Sequence, residues 1–206
     1  ANFNIIFLDI ELPDGDGKEL IAQINELSPE TNVVMVSAHS GVENVKDANA
    51  KALEVLMKGV DALSFCFSSK DLLTEENLAL LLKGICLESV ELNFSSNGGG
   101  YQNLVTLFTA YVASKGYDPK TINGSVNFDP YGRLLCSGSM CNKNGDIDAD
   151  YVKALVDATA HLPNFRVITV NAKHLSNAGS YISQELGYGL SLANEYMAKL
   201  TDAGIN

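Results

Sequence analysis

Histidine is the side chain best suited to proton transfer at neutral pH, and the sequence contains three. They are His39, His161 and His174. Nucleophilic catalysis needs a base within hydrogen-bonding reach of the nucleophile. Because the three histidines are scattered along the chain, no Ser/His/Asp or Cys/His set can be argued from them.

Two loops carry residues that could bind ions. The first, Asn142–Asp150, is rich in aspartate and asparagine and resembles a calcium loop in composition. Counting from Asn142, however, Gly145 is fourth and Lys153 is twelfth, whereas an EF-hand places glycine sixth and glutamate twelfth. The alternatives are a calcium loop and a polar loop whose Asp148 or Asp150 caps the next helix.

The second loop, Asn97–Gly100, precedes a helix and could hold an anion on free amide groups. It lacks both the GxGxxG spacing and the lysine of a phosphate-binding loop. The alternative is a flexible turn between a strand and a helix.

Composition excludes several kinds of partner. The 206 residues carry 14 Lys and Arg against 25 Asp and Glu, a formal net charge of −11. Such a chain is repelled by nucleic acid and by anionic lipid, so we expect neither partner. The four cysteines form no CxxC pair and no disulfide framework, although Cys136 and Cys141 share a loop and could pair. Since there is also no signal peptide, we expect a cytoplasmic location.

Short apolar runs alternate with helical periodicity along the whole chain. The runs are Ile5–Leu8, Val33–Val36, Leu63–Phe67, Val90–Phe94, Gly124–Phe128 and Arg166–Val170. The intervening helices are expected over Gly17–Leu27, Val45–Lys58, Leu72–Leu82, Tyr101–Lys115, Asp150–Ala160 and Tyr181–Thr201. This alternation predicts an α/β fold with a parallel sheet.

The number of units sets the expected architecture. We predict one domain over residues 1–206, with six parallel βα units in one sheet. Six units are one more than a five-stranded flavodoxin-like sheet needs and two fewer than a closed TIM barrel needs. The fold is therefore expected to be intermediate between the two. A half-open barrel leaves apolar surface uncovered, which predicts self-association as a homodimer.

Residues 1–47 resemble a response-regulator receiver domain. The resemblance rests on Asp9 at a strand end, Pro13, the Asp16-Gly17 turn, and Ser37 at the end of the next strand. In that family the aspartate accepts a phosphoryl group and the hydroxyl residue senses it. The resemblance therefore implies that Asp9 is a phosphoacceptor and Ser37 a switch residue, and the reaction would need Mg²⁺ to neutralise charge.

Residues 48–206 resemble the methylmalonyl-CoA mutase family, and most closely its small, non-catalytic subunit. The resemblance rests on Gly59-Val60-Asp61-Ala62-Leu63 and on the block from His174 to Glu195. It implies the first half of a (βα)8 barrel whose axis takes up acyl-CoA. It also implies that His174 contacts the acyl group, near strand ends at Asn93, Asn127 and Asn171.

The two resemblances meet inside one helix, which indicates a recombined, engineered chimera used as a scaffold. We expect no intact activity, and no enzyme, because the sequence given lacks the acidic pair and lysine of receivers. It also lacks the second half-barrel and the Asp-x-His-x-x-Gly signature of cobalamin domains. We therefore expect no bound cofactor and no metal, although the mutase family uses adenosylcobalamin. The alternatives are an acyl-CoA-binding component and a phosphoacceptor module.

Overall fold

The computed structural model describes residues 5–9, 11–12, 15–27, 32–39, 42–97, 99–138 and 147–205. Several predictions concern residues outside these ranges: Pro13 of the receiver motif, Gly98 of the glycine loop, Cys141, and residues 142–146 of the calcium-like loop. Cys66, Cys86 and Cys136 are free thiols. Within the described residues, no helix combines the length and apolar character needed to cross a bilayer.

Strands and helices alternate along the described chain. The strands are β1 (Ile5–Asp9), β2 (Glu11–Leu12), β3 (Gly15–Asp16), β4 (Asn32–His39), β5 (Ala62–Phe67), β6 (Glu91–Ser96), β7 (Gly124–Phe128) and β8 (Phe165–Ile168). The helices are α1 (Gly17–Leu27), α2 (Val42–Leu56), α3 (Glu75–Leu81), α4 (Tyr101–Lys115), α5 (Pro130–Ser137), α6 (Ala149–Thr159), α7 (Lys173–Asn177) and α8 (Ile182–Asp202). A single 3₁₀ turn covers Lys70–Leu72.

The main sheet has the strand order β1-β4-β5-β6-β7-β8. The pairings β1–β4, β4–β5, β5–β6 and β6–β7 are all parallel. Right-handed crossovers between consecutive neighbours place the connecting helices on one face of such a sheet. The α/β class and the parallel sheet are therefore confirmed.

The regular repeat of six βα units is not confirmed, because the connections differ from one another. A short antiparallel ladder of β2 and β3 lies between β1 and α1. Two helices, α5 and α6, follow β7, where the sequence predicts a polar loop and one helix. Two helices also follow β8.

The described chain divides into two compact units. The first unit comprises Ala1–Val126 and Ala158–Arg166, and the second comprises Asn127–Asp157 and Val167–Asn206. Assignment of residues 1–47 and 48–206 to two fragments of one domain stays a prediction.

The core of the first unit is built from one face of the sheet. Along β5 and β6, buried side chains alternate with half-buried ones, as expected for a sheet packed on one side. Phe94 is fully buried, and its ring centroid lies 6.1 Å from that of Phe65 and 5.2 Å from that of Phe108 in α4. Phe108 in turn stacks on Phe165 at 5.1 Å. This aromatic row joins strand and helix into one apolar layer.

The core of the second unit is smaller. Its aromatic contacts are Phe128 with Tyr151, at 5.4 Å between ring centroids, and Tyr131 with Tyr196, at 4.7 Å. Val152 and Leu155 on the buried face of α6 are fully buried.

The glycine loop and the aspartate loop take defined roles at helix starts. Gly100, at φ 79°, precedes α4 and makes no side-chain cap. This positive φ is the reason that the turn requires glycine, and a Cβ there would also lie 2.9 Å from Cδ1 of Leu73. Asp148 accepts a hydrogen bond from the N–H of Tyr151 at 3.0 Å, which confirms the predicted cap of the next helix.

Candidate functional site

Asp129 is the centre of a polar cluster in the second unit. It follows β7 directly and precedes Pro130, so it stands at the N-cap of α5, with proline at the first helical position. Its Oδ1 accepts hydrogen bonds from the N–H of Gly132 at 2.8 Å and from the hydroxyl of Tyr196 at 2.7 Å. Its Oδ2 accepts from the N–H of Asn171 at 2.8 Å. One carboxylate therefore joins the ends of β7 and β8 to α8.

Tyr196 reaches the cluster from α8 and is 3% exposed. Its hydroxyl donates to Asp129 and accepts from the N–H of Tyr131 at 2.9 Å. Burial raises the pKa of Tyr196 far above its ordinary value. The N–H of Tyr131 opposes this rise, and the hydrogen bond and charge of Asp129 add to it. The phenol therefore remains a neutral donor at physiological pH.

Asn171 connects Asp129 to His174. Its backbone N–H is held by Asp129, and its side-chain Oδ1 accepts from the N–H of Lys173 at 3.2 Å. Its Nδ2 lies 3.3 Å from Nε2 of His174. His174 is half-buried at the start of the short helix α7. The structure thus brings together two of the residues named from the sequence, Asn171 and His174.

The other strand-end asparagines have different partners. Asn127 accepts from the hydroxyl of Thr169 at 3.1 Å, also within the second unit. Asn93 lies in the middle of β6 in the first unit, where its Oδ1 accepts from Ser125 at 2.5 Å and its Nδ2 donates to Glu91 at 3.3 Å. Asn93 is therefore part of a hydrogen-bonded row on the sheet.

That row continues to a charged pair. Ser125 and Asn93 are register partners on β7 and β6. Arg166 donates to Oε1 of Glu91, which also accepts from Asn93. These polar side chains satisfy one another, which removes the cost of leaving them unpaired on a half-buried face.

Asp9 and Ser37 are placed by the backbone of β1 and β4. Asp9 is the last residue of β1 and pairs with Val36, the residue before Ser37. Ser37 in turn pairs with Phe65 of β5. The side chains of Asp9 and Ser37 lie outside the described part of the structure, so their roles stay predictions.

The Asp129 cluster offers hydrogen-bond donors to a ligand, and its hydroxyl paired with a carboxylate is the buried phenol of Tyr196. His174 and Asn171 offer hydrogen-bond donors after the end of β8, and Lys173 adds an exposed positive charge. Among the described residues, no three His, Cys, Asp or Glu side chains form a group that could hold a metal ion. Nε2 of His174 has a neighbour in the amide of Asn171, and the expectation of no bound cofactor stays a prediction.

Sequence reasoning missed Asp129 and Tyr196. A signal for Asp129 exists, since Asp-Pro after a strand is a typical helix start. For Tyr196 there is none, because its partner lies 67 residues away along the chain.

Comparison with known proteins gives two family matches. A family model described as methylmalonyl-CoA mutase matches residues 71–206, and one described as response regulator receiver domain matches residues 1–65. The methylmalonyl-CoA mutase small subunit of Porphyromonas gingivalis is 44% identical over 165 residues, which is 79% of this chain. The aligned part is 25% of that relative, so the chain spans about a quarter of its length.

Proposed function

Because this chain belongs to the methylmalonyl-CoA mutase family, we propose that it is an acyl-CoA-binding module with no catalytic activity of its own. The acyl group binds at the strand ends of the second unit, beside His174 and Asn171. The observation that supports this proposal is the chain of hydrogen bonds that runs from Asp129 through Asn171 to His174.

The cluster suits a thioester for a physical reason. A carbonyl oxygen needs N–H donors at about 2.7–3.2 Å whose positions are fixed before binding. Nδ2 of Asn171 is such a donor, because two hydrogen bonds fix the residue. Its backbone N–H donates to Asp129, and its Oδ1 accepts from the N–H of Lys173. A malonyl-type acyl group also carries a carboxylate, for which the exposed Lys173 supplies a counter-charge.

The same residues support a module without catalysis. Among the described residues, His174 is hydrogen-bonded to the amide of Asn171 and to no hydroxyl or thiol, so it activates no nucleophile there.

Calorimetry tests the binding proposal. We expect methylmalonyl-CoA and acetyl-CoA to bind at a single site, and free CoA to bind at least tenfold more weakly. H174A and N171A should each weaken acyl-CoA binding at least tenfold. H161A is the matched control, since His161 is exposed and outside the cluster, and it should bind as the parent does. Equal affinity of H174A and the parent would remove His174 from the site.

Chromatography of methylmalonyl-CoA after incubation with the protein tests the second half of the proposal. We expect no isomerised thioester, with or without added adenosylcobalamin. Turnover would overturn the assignment of a non-catalytic module.

Phosphoacceptance at Asp9 is a second candidate, favoured by the register of β1 and β4 beside Ser37. Treatment with acetyl phosphate and Mg²⁺, followed by intact mass measurement, should add one phosphoryl group to the parent and to D16N. D9N should add none. An unmodified parent would exclude this function.

We also propose a recombined, engineered origin and a fold intermediate between an open flavodoxin-like sheet and a partial TIM barrel. Two observations support this: the two family matches meet between residues 65 and 71, and the strand order is consecutive. The family matches meet near the end of β5, whereas the sequence places the junction inside the preceding helix. A continuous natural gene at the source locus would contradict the engineered origin.

A further inference from the structure

A cavity of about 370 Å³ lies in the first unit, beside the end of α3 and the end of α4. Its wall includes Lys83 and Cys86 from the turn after α3, Tyr111 and Lys115 from α4, and Tyr117 beyond it. Sites for small molecules have volumes of about 300–1,000 Å³, so this cavity can take a small metabolite. None of the residues so far assigned to a function lines it.

The charges at the cavity are positive. Its wall contains two lysines and no carboxylate. Among the described residues, no carboxylate lies within ion-pair distance of Nζ of Lys83 or Lys115. Nζ of Lys115 lies 5.6 Å from the ring centroid of Tyr111. Glu88 and Asp118 lie close to wall residues in the sequence. Oε1 of Glu88 accepts from the N–H of Asp118 at 3.3 Å, and Oδ1 of Asp118 accepts from the N–H of Lys120 at 3.0 Å. Because neither carboxylate is paired with Lys83 or Lys115, the two lysines can attract an anion on a chain of net charge −11.

The two helix ends limit the charge of the ligand. Each helix C-terminus is equivalent to about half a negative elementary charge. The ends of α3 and α4 therefore weaken the attraction that the two lysines exert on an anion. This favours a monoanion over a dianion such as a phosphate monoester.

The two tyrosines determine the shape of the ligand. Tyr111 and Tyr117 are half-buried and offer flat apolar surfaces in the wall. Burial raises the pKa of Tyr111, and its electrostatic interaction with Tyr117 raises it further, so the phenol of Tyr111 stays neutral at physiological pH. Aromatic rings stack favourably on such surfaces.

We propose that this cavity binds a planar aromatic monocarboxylate, with Lys83 and Lys115 holding the carboxylate and Tyr111 and Tyr117 packing on the ring. The ligand enters beside Cys86, whose thiol is exposed in the same wall. The site is independent of acyl-CoA binding in the second unit, and either can fail without the other.

Calorimetry of the full chain with 2-naphthoate, 2-naphthamide and 2-naphthylmethylamine tests the proposal. We expect 2-naphthoate to bind at least tenfold more tightly than the uncharged amide, and the amine not to bind. The double variant K83M/K115M should lose at least tenfold in affinity for 2-naphthoate. K120M is the matched control, because Lys120 is exposed and does not line the cavity, and it should bind as the parent does.

The rates at which the cysteines are alkylated show where 2-naphthoate binds. With 2-naphthoate present, iodoacetamide should modify Cys86 several-fold more slowly, while the exposed Cys136 reacts at an unchanged rate. Equal affinity for naphthoate and naphthamide would overturn the charge argument. Binding that survives K83M/K115M, or that leaves Cys86 unprotected, would place the ligand elsewhere and overturn the site.

Discussion

Asp129 connects three segments of the second unit. Its carboxylate accepts hydrogen bonds from Gly132 in α5, from Asn171 after β8 and from Tyr196 in α8. In D129N, Nδ2 replaces one carboxylate oxygen and faces an N–H donor. Hydrogen bonds to a charged group contribute about 1.5–3 kcal/mol each. We expect D129N to lower the free energy of unfolding in urea by about 2–3 kcal/mol.

The control for this variant is D118N. Within the described part of the chain, the Asp118 carboxylate accepts a hydrogen bond from the N–H of Lys120 on the surface and from no other group. Such surface changes usually stay within about 0.5 kcal/mol. If D129N were as mild as D118N, the cluster would not stabilise the unit.

Tyr196 makes the stability of the fold fall with rising pH in the alkaline range. Its pKa is raised in the folded state, mainly by burial, so the folded chain keeps a proton that the unfolded chain loses above about pH 10. The stabilisation is complete below that pH and is lost as the pH rises further. Urea unfolding from pH 8 to 11 should show a steeper loss for the parent than for Y196F.

Y196F should also lower the free energy of unfolding at pH 8 by about 1–3 kcal/mol. The N–H of Tyr131 loses its acceptor, and Oδ1 of Asp129 loses one of its donors. Y188F, at an exposed tyrosine of the same helix, is the control and should leave both the stability and its pH profile unchanged. A parallel pH profile for parent and Y196F would contradict the assignment.

The site residues His174 and Asn171 were named from the sequence because of its resemblance to a family. Asp129 and Tyr196 were recognised as site residues only from the structure. His174 and Asn171 are three residues apart, so local sequence relates them. Asp129 meets Asn171 and Tyr196 only because β7, β8 and α8 come together. Such long-range contacts leave no periodic pattern in the sequence.

At the scale of elements, two glycines of helices should respond oppositely to alanine. A Cβ on Gly132 in α5 would lie 2.2 Å from Oδ2 of Asp129, so G132A must displace the helix cap. Nothing lies within 4 Å of a Cβ on Gly187 in α8. Alanine in an open helical position stabilises by about 0.5–1 kcal/mol relative to glycine.

We therefore expect G187A to raise the melting temperature and G132A to lower it, with a loss of about 1–2 kcal/mol for a broken cap. Calorimetric melting of both variants checks this. Destabilisation by G187A would show that α8 does not tolerate a side chain on that face.

The sequence predicted some element bounds well, whereas β4, β5 and β6 differ from their predicted bounds by one to three residues. Helices α1 and α4 and strand β7 have the predicted bounds, because apolar periodicity and glycines mark them. The missed helix α5 spans only eight residues, of which the last lead into a glycine- and serine-rich loop. Its Asp-Pro start was the usable signal. Helix α7 has five residues and no capping side chain, so the sequence offered little to detect.

In the whole molecule, the net charge opposes self-association and the exposed apolar surface favours it. Four large side chains, Ile182, Leu186, Leu190 and Met197, fall on one face of α8, and each is more than 60% exposed. Burying such a stripe between two copies of the chain is favourable by about 25 cal/mol per Å² of apolar area. Two copies that each carry −11 repel one another.

The predicted homodimer should therefore form more readily as salt is added, because screening weakens the repulsion and leaves the apolar attraction in place. Sedimentation at several protein concentrations, in about 0.05 M and about 0.5 M salt, measures this shift. The double variant L186E/L190E should sediment as a monomer in both buffers. L135E, at an exposed leucine of α5, is the control and should associate as the parent does. A parent that stays monomeric at high salt would show that the α8 stripe does not bind a second copy.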